Sequence, residues 1–142
     1  MNEIEDVLSY WLTPAPRTAA EAEARKEFWF TGSAAIDEEI RRRFGALVAE
    51  ARAGARAGWS ATPRGALALI ILVDQFSRNL YRGRPEAFSH DGVALGLARA
   101  GFDAGQFDAF DSIERMFAAM PFRHAEEIEA QKRGVALAVT DA

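Results

Sequence analysis

The amino-acid sequence predicts an all-α fold of about six helices arranged as antiparallel hairpins. Apolar residues recur at helical spacing along most of the chain, a pattern typical of amphipathic helices that share a core. Alanine accounts for 29 of the 142 residues, and such small side chains let helices pack closely. No stretch alternates between apolar and polar residues as a β-strand does. At this length the chain is expected to form a single domain, residues 1–142.

Three helices are predicted in the first half of the chain. The first has Asn2 as its N-cap, an apolar stripe at i, i+3, i+4, i+7 and i+8, and two prolines after it. The stripe comprises Ile4, Val7, Leu8, Trp11 and Leu12, and the prolines are Pro14 and Pro16. The second runs from Thr18, its predicted N-cap, to Phe30, and the third spans about Ala35 to Ala53.

A central helix is predicted next, with Thr62 as its N-cap and Pro63 at its first position. The segment from Leu67 to Val73 is apolar on every side, which indicates a helix buried all round. The helix is expected to continue through a polar stretch and to stop at Gly83.

Three further helical segments are predicted before the end of the chain. One opens at Pro85 and ends at Gly101, and another covers about Phe110 to Met120. Pro121 is expected to break the helix, so that a last helix runs from about His124 to Val139. The predicted inward residues are Phe88, Asp91, Ala94, Leu95 and Ala98 in the first, Ile113, Met116, Phe117 and Met120 in the second, and Ile128, Gln131, Val135 and Ala138 in the last.

Composition excludes several classes of protein. A net charge of −4 and a pI of about 5.2 argue against a nucleic-acid partner. The longest apolar run has eight residues, whereas a membrane-spanning helix needs about 20, so no membrane association is expected. The absence of cysteine and an acidic amino terminus without a signal-peptide pattern favour a cytoplasmic protein.

The polar half of the central helix contains the principal candidate site. At about 100° per residue, five polar side chains fall within about 140° of arc, and the opposite side stays apolar. These residues are Asp74, Gln75, Arg78, Asn79 and Arg82. We expect this face to line a polar hollow in which the two arginines clamp an anion and the two amides orient it. Alternatively, the same side chains only crosslink neighbouring helices.

Other polar residues are candidates for the same hollow. Asp91 lies among apolar neighbours and is expected to hold an arginine, while Glu114 and Trp59 are expected to contribute to ligand binding. Histidine has an ordinary pKa near neutrality, so His124 is a weak candidate for a general acid or base, with Glu126 beside it. The spacing of these residues matches no metal-binding motif, so neither a metal nor another cofactor is expected.

The run from Leu67 to Gly83, followed by Ala87 to Asp91, resembles the signature of the DUF924 family, a bacterial domain family of unknown function. The similarity covers about residues 4 to 139. It implies a tetratricopeptide-like, right-handed helical bundle, but no reaction. Further matching positions are Phe28-Trp29-Phe30, Asp37, Ile40, Phe44, Trp59, Glu114-Arg115-Met116-Phe117, Met120-Pro121, His124-Ala125-Glu126 and Gln131.

The sequence departs from this family in two places. The family usually has His-Ser-Glu where this chain has His124-Ala125-Glu126, so a hydroxyl group is missing. The family also usually continues into a further helical segment, and the absence of that segment here would leave the polar hollow incomplete or completed by a partner.

Three functions therefore follow from the sequence as hypotheses. The first is a binding module for a small anionic molecule or an acidic peptide, through the polar face of the central helix. The second is a hydrolase-like enzyme in which His124 is the general acid or base, oriented by Glu126 or Asp91. The third is an interaction module in which the polar helix only specifies packing. Sequence alone does not define the oligomeric state.

Overall fold

The computed structural model describes residues 2–13 and 17–141 of the chain, with side chains up to residue 126. Within these ranges the protein is all-helical and contains no β-strand, which confirms the predicted fold class. Six helices follow one another: α1 (Glu3–Leu12), α2 (Ala19–Lys26), α3 (Ala34–Arg52), α4 (beginning as Pro63–Ile70), α5 (Asp91–Asp103) and α6 (Ser112–Asp141). The tetratricopeptide-like arrangement of these helices stays a prediction.

The predicted N-caps of three helices are confirmed. The side chains of Asn2, Thr18 and Thr62 each accept a hydrogen bond from the backbone N–H three residues later. Such caps satisfy one of the backbone donors that a helix leaves without an intrahelical partner. Ser33 does the same for α3, at the position where the sequence indicates only a chain break.

Helix α4 lies at the centre of the core. Its residues 65–77 are buried without interruption, as the apolar run predicts, and it packs against α1, α3, α5 and α6. Aromatic rings from α1 and α6 close around it: the ring of Trp11 lies 5.5 Å from that of Phe76 and 5.7 Å from that of Phe117. Each large apolar side chain buried in this way contributes about 1.5–3 kcal/mol to folding.

Two helices contain π-helical turns. Helix α2 continues into a π-helical segment at Glu27–Thr31, and α4 does so at Ile71–Phe76 before it ends as Ser77–Leu80. A π turn contains more residues than an α turn, so it rotates the following side chains relative to a regular helical wheel. Such turns are rare and occur frequently at functional sites.

Two predictions about the later helices are wrong. Helix α6 runs through Pro121 without a break; this proline is buried, so its packing offsets the missing backbone hydrogen bond. Phe88 was expected on an apolar helix face, but only a short 3-10 turn forms at Pro85–Ala87 and α5 starts at Asp91. The Phe88 side chain is consequently exposed.

Some predicted features fall outside the described part of the chain. Two prolines expected to end α1, Pro14 and Pro16, are among them. So are the side chains of the stripe predicted for the last helix, Ile128, Gln131, Val135 and Ala138. Among the helices that are described, none combines the length and the hydrophobicity needed to cross a lipid bilayer.

Candidate functional site

The polar half of α4 borders a cavity of about 420 Å³. Three parts of the chain form its walls: the π turn that follows α2, the second half of α4, and the middle of α6. The lining residues are Trp29, Phe30, Gln75, Arg78, Asn79, Arg82, Met120, Arg123 and His124. Both π turns of the described chain contribute to these walls.

Asp74 lies behind this cavity and is completely buried. Its Oδ1 atom accepts hydrogen bonds from Nδ1 of His124 at 2.8 Å and from Nη1 of Arg78 at 3.1 Å. Its Oδ2 atom accepts one from Nε2 of Gln75 at 3.1 Å. A buried carboxylate is tolerated only when it is paired and hydrogen-bonded, and Asp74 has three donors. It thereby fixes three side chains that line the cavity.

Arg78 links α4 to the beginning of α5. Its Nη1 and Nη2 atoms each donate to one carboxylate oxygen of Asp91, both at 3.0 Å. Nη1 also donates to the backbone carbonyl of Asp74 at 2.9 Å. The planar guanidinium is therefore held by a two-point pair, the geometry in which arginine binds carboxylates most strongly.

Arg82 links α4 to the beginning of α3 in the same way. Its Nε and Nη2 atoms donate to Asp37 at 2.7 Å and 3.0 Å, and Nδ2 of Asn79 donates to the same carboxylate at 2.9 Å. Burial alone would raise the pKa of Asp37, but the hydrogen bonds from Arg82 and Asn79 outweigh it and hold that pKa below its usual value. The pair with Asp37 raises the pKa of Arg82 in turn.

The charged groups that line the cavity all belong to basic side chains. Arg78, Arg82, Arg123 and His124 border it, and no carboxylate does so among the residues described. Arg78 and Arg82 are each paired with aspartates that do not line the cavity. A guanidinium has five N–H donors in a plane; Arg82 uses Nε and Nη2 on Asp37 and Arg78 uses Nη1 and Nη2 on Asp74 and Asp91, so each has further N–H donors for a ligand.

An aromatic wall faces this basic one. The indole Nε1 of Trp29 donates to the carbonyl oxygen of Trp11 at 2.8 Å, which locks the orientation of the ring. The Phe30 ring stacks on Phe117 with a centroid distance of 6.3 Å, yet 55 % of the residue stays exposed. The cavity therefore combines a polar half and an apolar half.

The structure brings together most of the residues predicted on the central helix. Gln75, Arg78, Asn79 and Arg82 line the cavity, and so does His124 from α6. Asp74 and Asp91 do not line it, but they hold Arg78 from behind.

Three other predicted residues do not line the cavity. Glu114 contacts Arg17 and Arg64 instead, at 3.8 Å and 3.5 Å. Trp59 packs against the hydrophobic core under the guanidinium of Arg56, and Glu126 is exposed. The carboxylate that orients His124 is consequently Asp74, and not Glu126 or Asp91 as the enzyme hypothesis expected.

Sequence reasoning missed several members of the site. Trp29 and Phe30 were visible as part of an aromatic triplet at a helix end, although nothing in that pattern assigns them to a cavity rather than the core. Arg123 stands directly before the predicted His124. Asp37 is followed by two glutamates that pair with arginines of their own helix. Only the packing of α3 against α4 shows that Asp37, and not one of these glutamates, is the partner of Arg82.

In the described part of the chain, no group of three or more histidine, aspartate or glutamate side chains is arranged to hold a metal ion. The hydrogen-bonding side chains that line the cavity carry guanidinium, imidazole and amide groups.

Comparisons with known proteins show one family and give no activity. Residues 7–141 match the family model described as bacterial protein of unknown function (DUF924). No protein with a curated description matches the sequence. Among solved structures, the chain is similar to a protein of unknown function from Agrobacterium tumefaciens, with 29 % sequence identity and a TM-score of 0.75. That similarity covers 98 % of this chain and 73 % of the other.

Proposed function

We propose that this chain, which belongs to the DUF924 family, binds a small anionic molecule. The family's description names no activity, so the proposal is drawn from the cavity alone. The observation that carries this proposal is the charge of the cavity walls. Three arginines and a histidine line about 420 Å³, while the aspartates that hold two of those arginines lie outside the lining. Carboxylates and phosphates are the anions that such a set of planar donors recognises.

Preorganisation supports binding by these groups. Arg78 and Arg82 are each fixed by two hydrogen bonds to one aspartate, so little side-chain freedom remains to be lost when a ligand binds. The amide groups of Gln75 and Asn79 are fixed as well, because each donates to a buried or half-buried aspartate. The volume also lies within the range of about 300–1,000 Å³ that is typical of small-molecule sites.

A carboxylate at the end of an acidic peptide would offer the same chemistry, but a small molecule fits a concave site of this size better. Tetratricopeptide-like folds are used for binding, although the fold alone does not settle function. A cytoplasmic location, favoured by the absence of cysteine, stays part of this proposal.

The test uses inorganic phosphate and acetate as probes, with binding measured by calorimetry at constant ionic strength. The wild-type protein is expected to bind at least one of them, and Arg82→Gln is expected to weaken this binding at least about tenfold, the loss of one charge-assisted contact. Arg82 suits the test because its side chain is 52 % exposed, so the variant should fold. Arg78 suits it less, because its removal strips a partner from two carboxylates that are both buried.

Arg64→Gln is the matched control. Arg64 is 47 % exposed and makes the same two-point pair, with Glu5, at 2.8 Å and 2.7 Å, but it does not line the cavity. Binding is expected to survive this substitution. Equal losses in the two variants would contradict the proposal, and so would a wild-type protein that binds neither these anions nor larger ones with the same anionic groups.

A second candidate function, acid–base catalysis in the same cavity, is favoured by the pair of Asp74 and His124. A carboxylate only accepts hydrogen bonds, so the 2.8 Å contact places a proton on Nδ1 of His124. In the neutral imidazole, Nε2 is then the nitrogen that can take a proton from a bound water or substrate. The hydrolase-like hypothesis thus keeps His124 but replaces its orienting carboxylate.

Turnover separates catalysis from binding. We would measure hydrolysis of p-nitrophenyl phosphate and p-nitrophenyl acetate by the wild-type protein and by His124→Gln. If the wild-type protein turns over either probe and the variant loses at least about a hundredfold, as expected for a general base, the enzyme function is supported. Anion binding without turnover of either probe favours a binding module.

A further inference from the structure

The cavity has two walls of different chemistry, and an inorganic anion would use only one of them. Arginine, imidazole and amide groups form the first wall, whereas Trp29, Phe30 and Met120 form the second. A volume of about 420 Å³ lies within the range of sites that enclose drug-sized ligands, so it exceeds what a phosphate or acetate ion occupies. Most of the apolar wall would stay in contact with water.

The apolar wall is built to remain in place. Trp29 is fixed by its hydrogen bond to Trp11 and by an edge-on contact with Phe117 at 5.1 Å. Phe30 lies nearly parallel to Phe117, with 21° between the rings, but buries less than half of its surface. An aromatic ring that is held rigidly at a cavity and left exposed is typical of a binding surface.

The backbone conformation of this wall also supports a role in binding. Trp29 and Phe30 stand in the π turn at Glu27–Thr31, a conformation that is rare in helices. The turn ends at Gly32, whose φ of +65° favours glycine. An added Cβ at Gly32 would lie 2.8 Å from Nη2 of Arg82, so this turn lies directly against the basic wall.

We infer that the preferred ligand is an anion that also carries an aromatic ring, such as an aryl phosphate or an aryl carboxylate. This inference rests on the anion-binding function proposed above. The anionic group binds the arginines and the amides of α4, and the ring packs against Trp29 and Phe30. Aromatic pairs of this kind add to the gain from burial alone, so the ring should increase affinity about tenfold or more.

Calorimetry with matched probes tests this inference. Phenyl phosphate is compared with inorganic phosphate, and benzoate with acetate, because each pair shares an anionic group and differs in the ring. The wild-type protein is expected to bind the aryl member of each pair about tenfold or more tightly. Phe30→Ala is expected to lose most of the preference for phenyl phosphate over inorganic phosphate.

Two further variants keep the test decisive. Phe88 is as exposed as Phe30 and lies under the guanidinium of Arg78 at 5.2 Å, but it does not line the cavity, so Phe88→Ala should retain the preference. Phe30→Leu keeps an apolar side chain in case the alanine variant fails to fold, and it should also lose most of the preference.

Equal affinities for the two members of each pair, or a preference that survives both Phe30 variants, would refute the aromatic contact. If none of the four anions binds, the anion-binding function itself fails.

Discussion

Among the clusters of arginine and carboxylate side chains that join the described helices, one borders the cavity described above and another does not. The cavity cluster comprises Asp37, Asp74, Arg78, Arg82, Asp91 and His124. The second, here called the Arg17 cluster, comprises Glu5, Arg17, Arg64, Asp111 and Glu114. Both contain arginines paired with carboxylates, and both connect elements that are distant in sequence.

The clusters differ in what surrounds their basic groups. In the Arg17 cluster, the Arg17 side chain is only 6 % exposed, and its Nε donates to the carbonyls of Leu12 and Thr13. The backbone N–H groups of Asp111 and Glu114 each donate to the side-chain carboxylate of the other residue, and this pair of hydrogen bonds caps the start of α6. The donors of Arg17 are thus used to anchor a chain segment and a helix end. Arg64 in this cluster and Arg82 in the cavity cluster are both about half exposed, but only Arg82 lines the cavity.

This difference shows why residue type alone does not define a site. An arginine paired with a carboxylate indicates a structural contact when protein groups surround it on all sides. It indicates a binding group when the pair fixes its orientation and leaves donors toward an open volume. Glu114, predicted to bind a ligand, lies in the first environment, and Arg82 lies in the second.

The largest expected difference between the clusters is in stability. Asp74→Ala should lower the free energy of unfolding by about 3–5 kcal/mol, because it removes the buried acceptor of donors on Gln75, Arg78 and His124. Asp111→Ala should cost only about 0.5–2 kcal/mol, the loss of a helix cap, because Arg17 keeps its hydrogen bonds to two backbone carbonyls and lies 3.8 Å from Glu114. Urea unfolding of the two variants measures both values, and equal losses would contradict the distinction.

A smaller effect on stability is expected from substituting two glycines, and comparing them separates the cost of backbone strain from an effect on ligand binding. Gly32 and Gly54 both have positive φ values, +65° and +84°, so alanine at either position should cost about 1–2 kcal/mol of stability. Only at Gly32 would the added Cβ meet Arg82, whereas nothing lies within 4 Å of it at Gly54.

Gly32→Ala should therefore also weaken phosphate binding, and Gly54→Ala should leave it unchanged. Calorimetry on the two variants, after urea unfolding has shown similar losses of stability, checks this expectation. Equal affinities of both variants for phosphate would mean that the position of Arg82 does not matter for binding.

The smallest effect concerns acid. Because the folded-state pKa of Asp37 lies below its ordinary value of 3.8, its ionised form stabilises the protein above about pH 3.8, and this contribution is lost as the pH falls through the folded-state pKa. At neutral pH the free energy of unfolding of the wild-type protein should exceed that of Asp37→Asn by less than about 1 kcal/mol, because Arg82 is half exposed. This difference in stability should vanish in acid.

Urea unfolding of both proteins across this range provides the measurement. A difference that stays constant into acid would contradict the assignment of Asp37 as the ionised partner. In the Arg17 cluster, the hydrogen bond from Arg64 lowers the pKa of Glu5 in the same sense. Acid should therefore weaken both clusters.

The sequence predicts more of the cavity cluster than of the cavity. Asp74 and Arg78 are spaced i, i+4 on one helix, and Asp91 is a carboxylate among apolar neighbours, so their pairing follows from local pattern. The partner of Arg82 does not follow, because Asp37 differs from neighbouring acidic residues only in how α3 packs on α4.

The aromatic wall was beyond sequence reasoning for a different reason. No residue pattern encodes hydrogen bonds between residues five apart, and the wall depends on the π turn at Glu27–Thr31. Pro121 shows the converse case, in which tertiary packing overrides a strong local signal for a helix break.

The most direct test of the central claim is where an anion binds in the crystal. Selenate resembles phosphate in shape and charge, and its selenium atom can be located by anomalous scattering. We expect selenium density inside the cavity, with oxygen atoms within hydrogen-bonding distance of Arg82 and at least one other lining donor. Selenium density only at surface arginines such as Arg64, with the cavity left to water, would contradict the account.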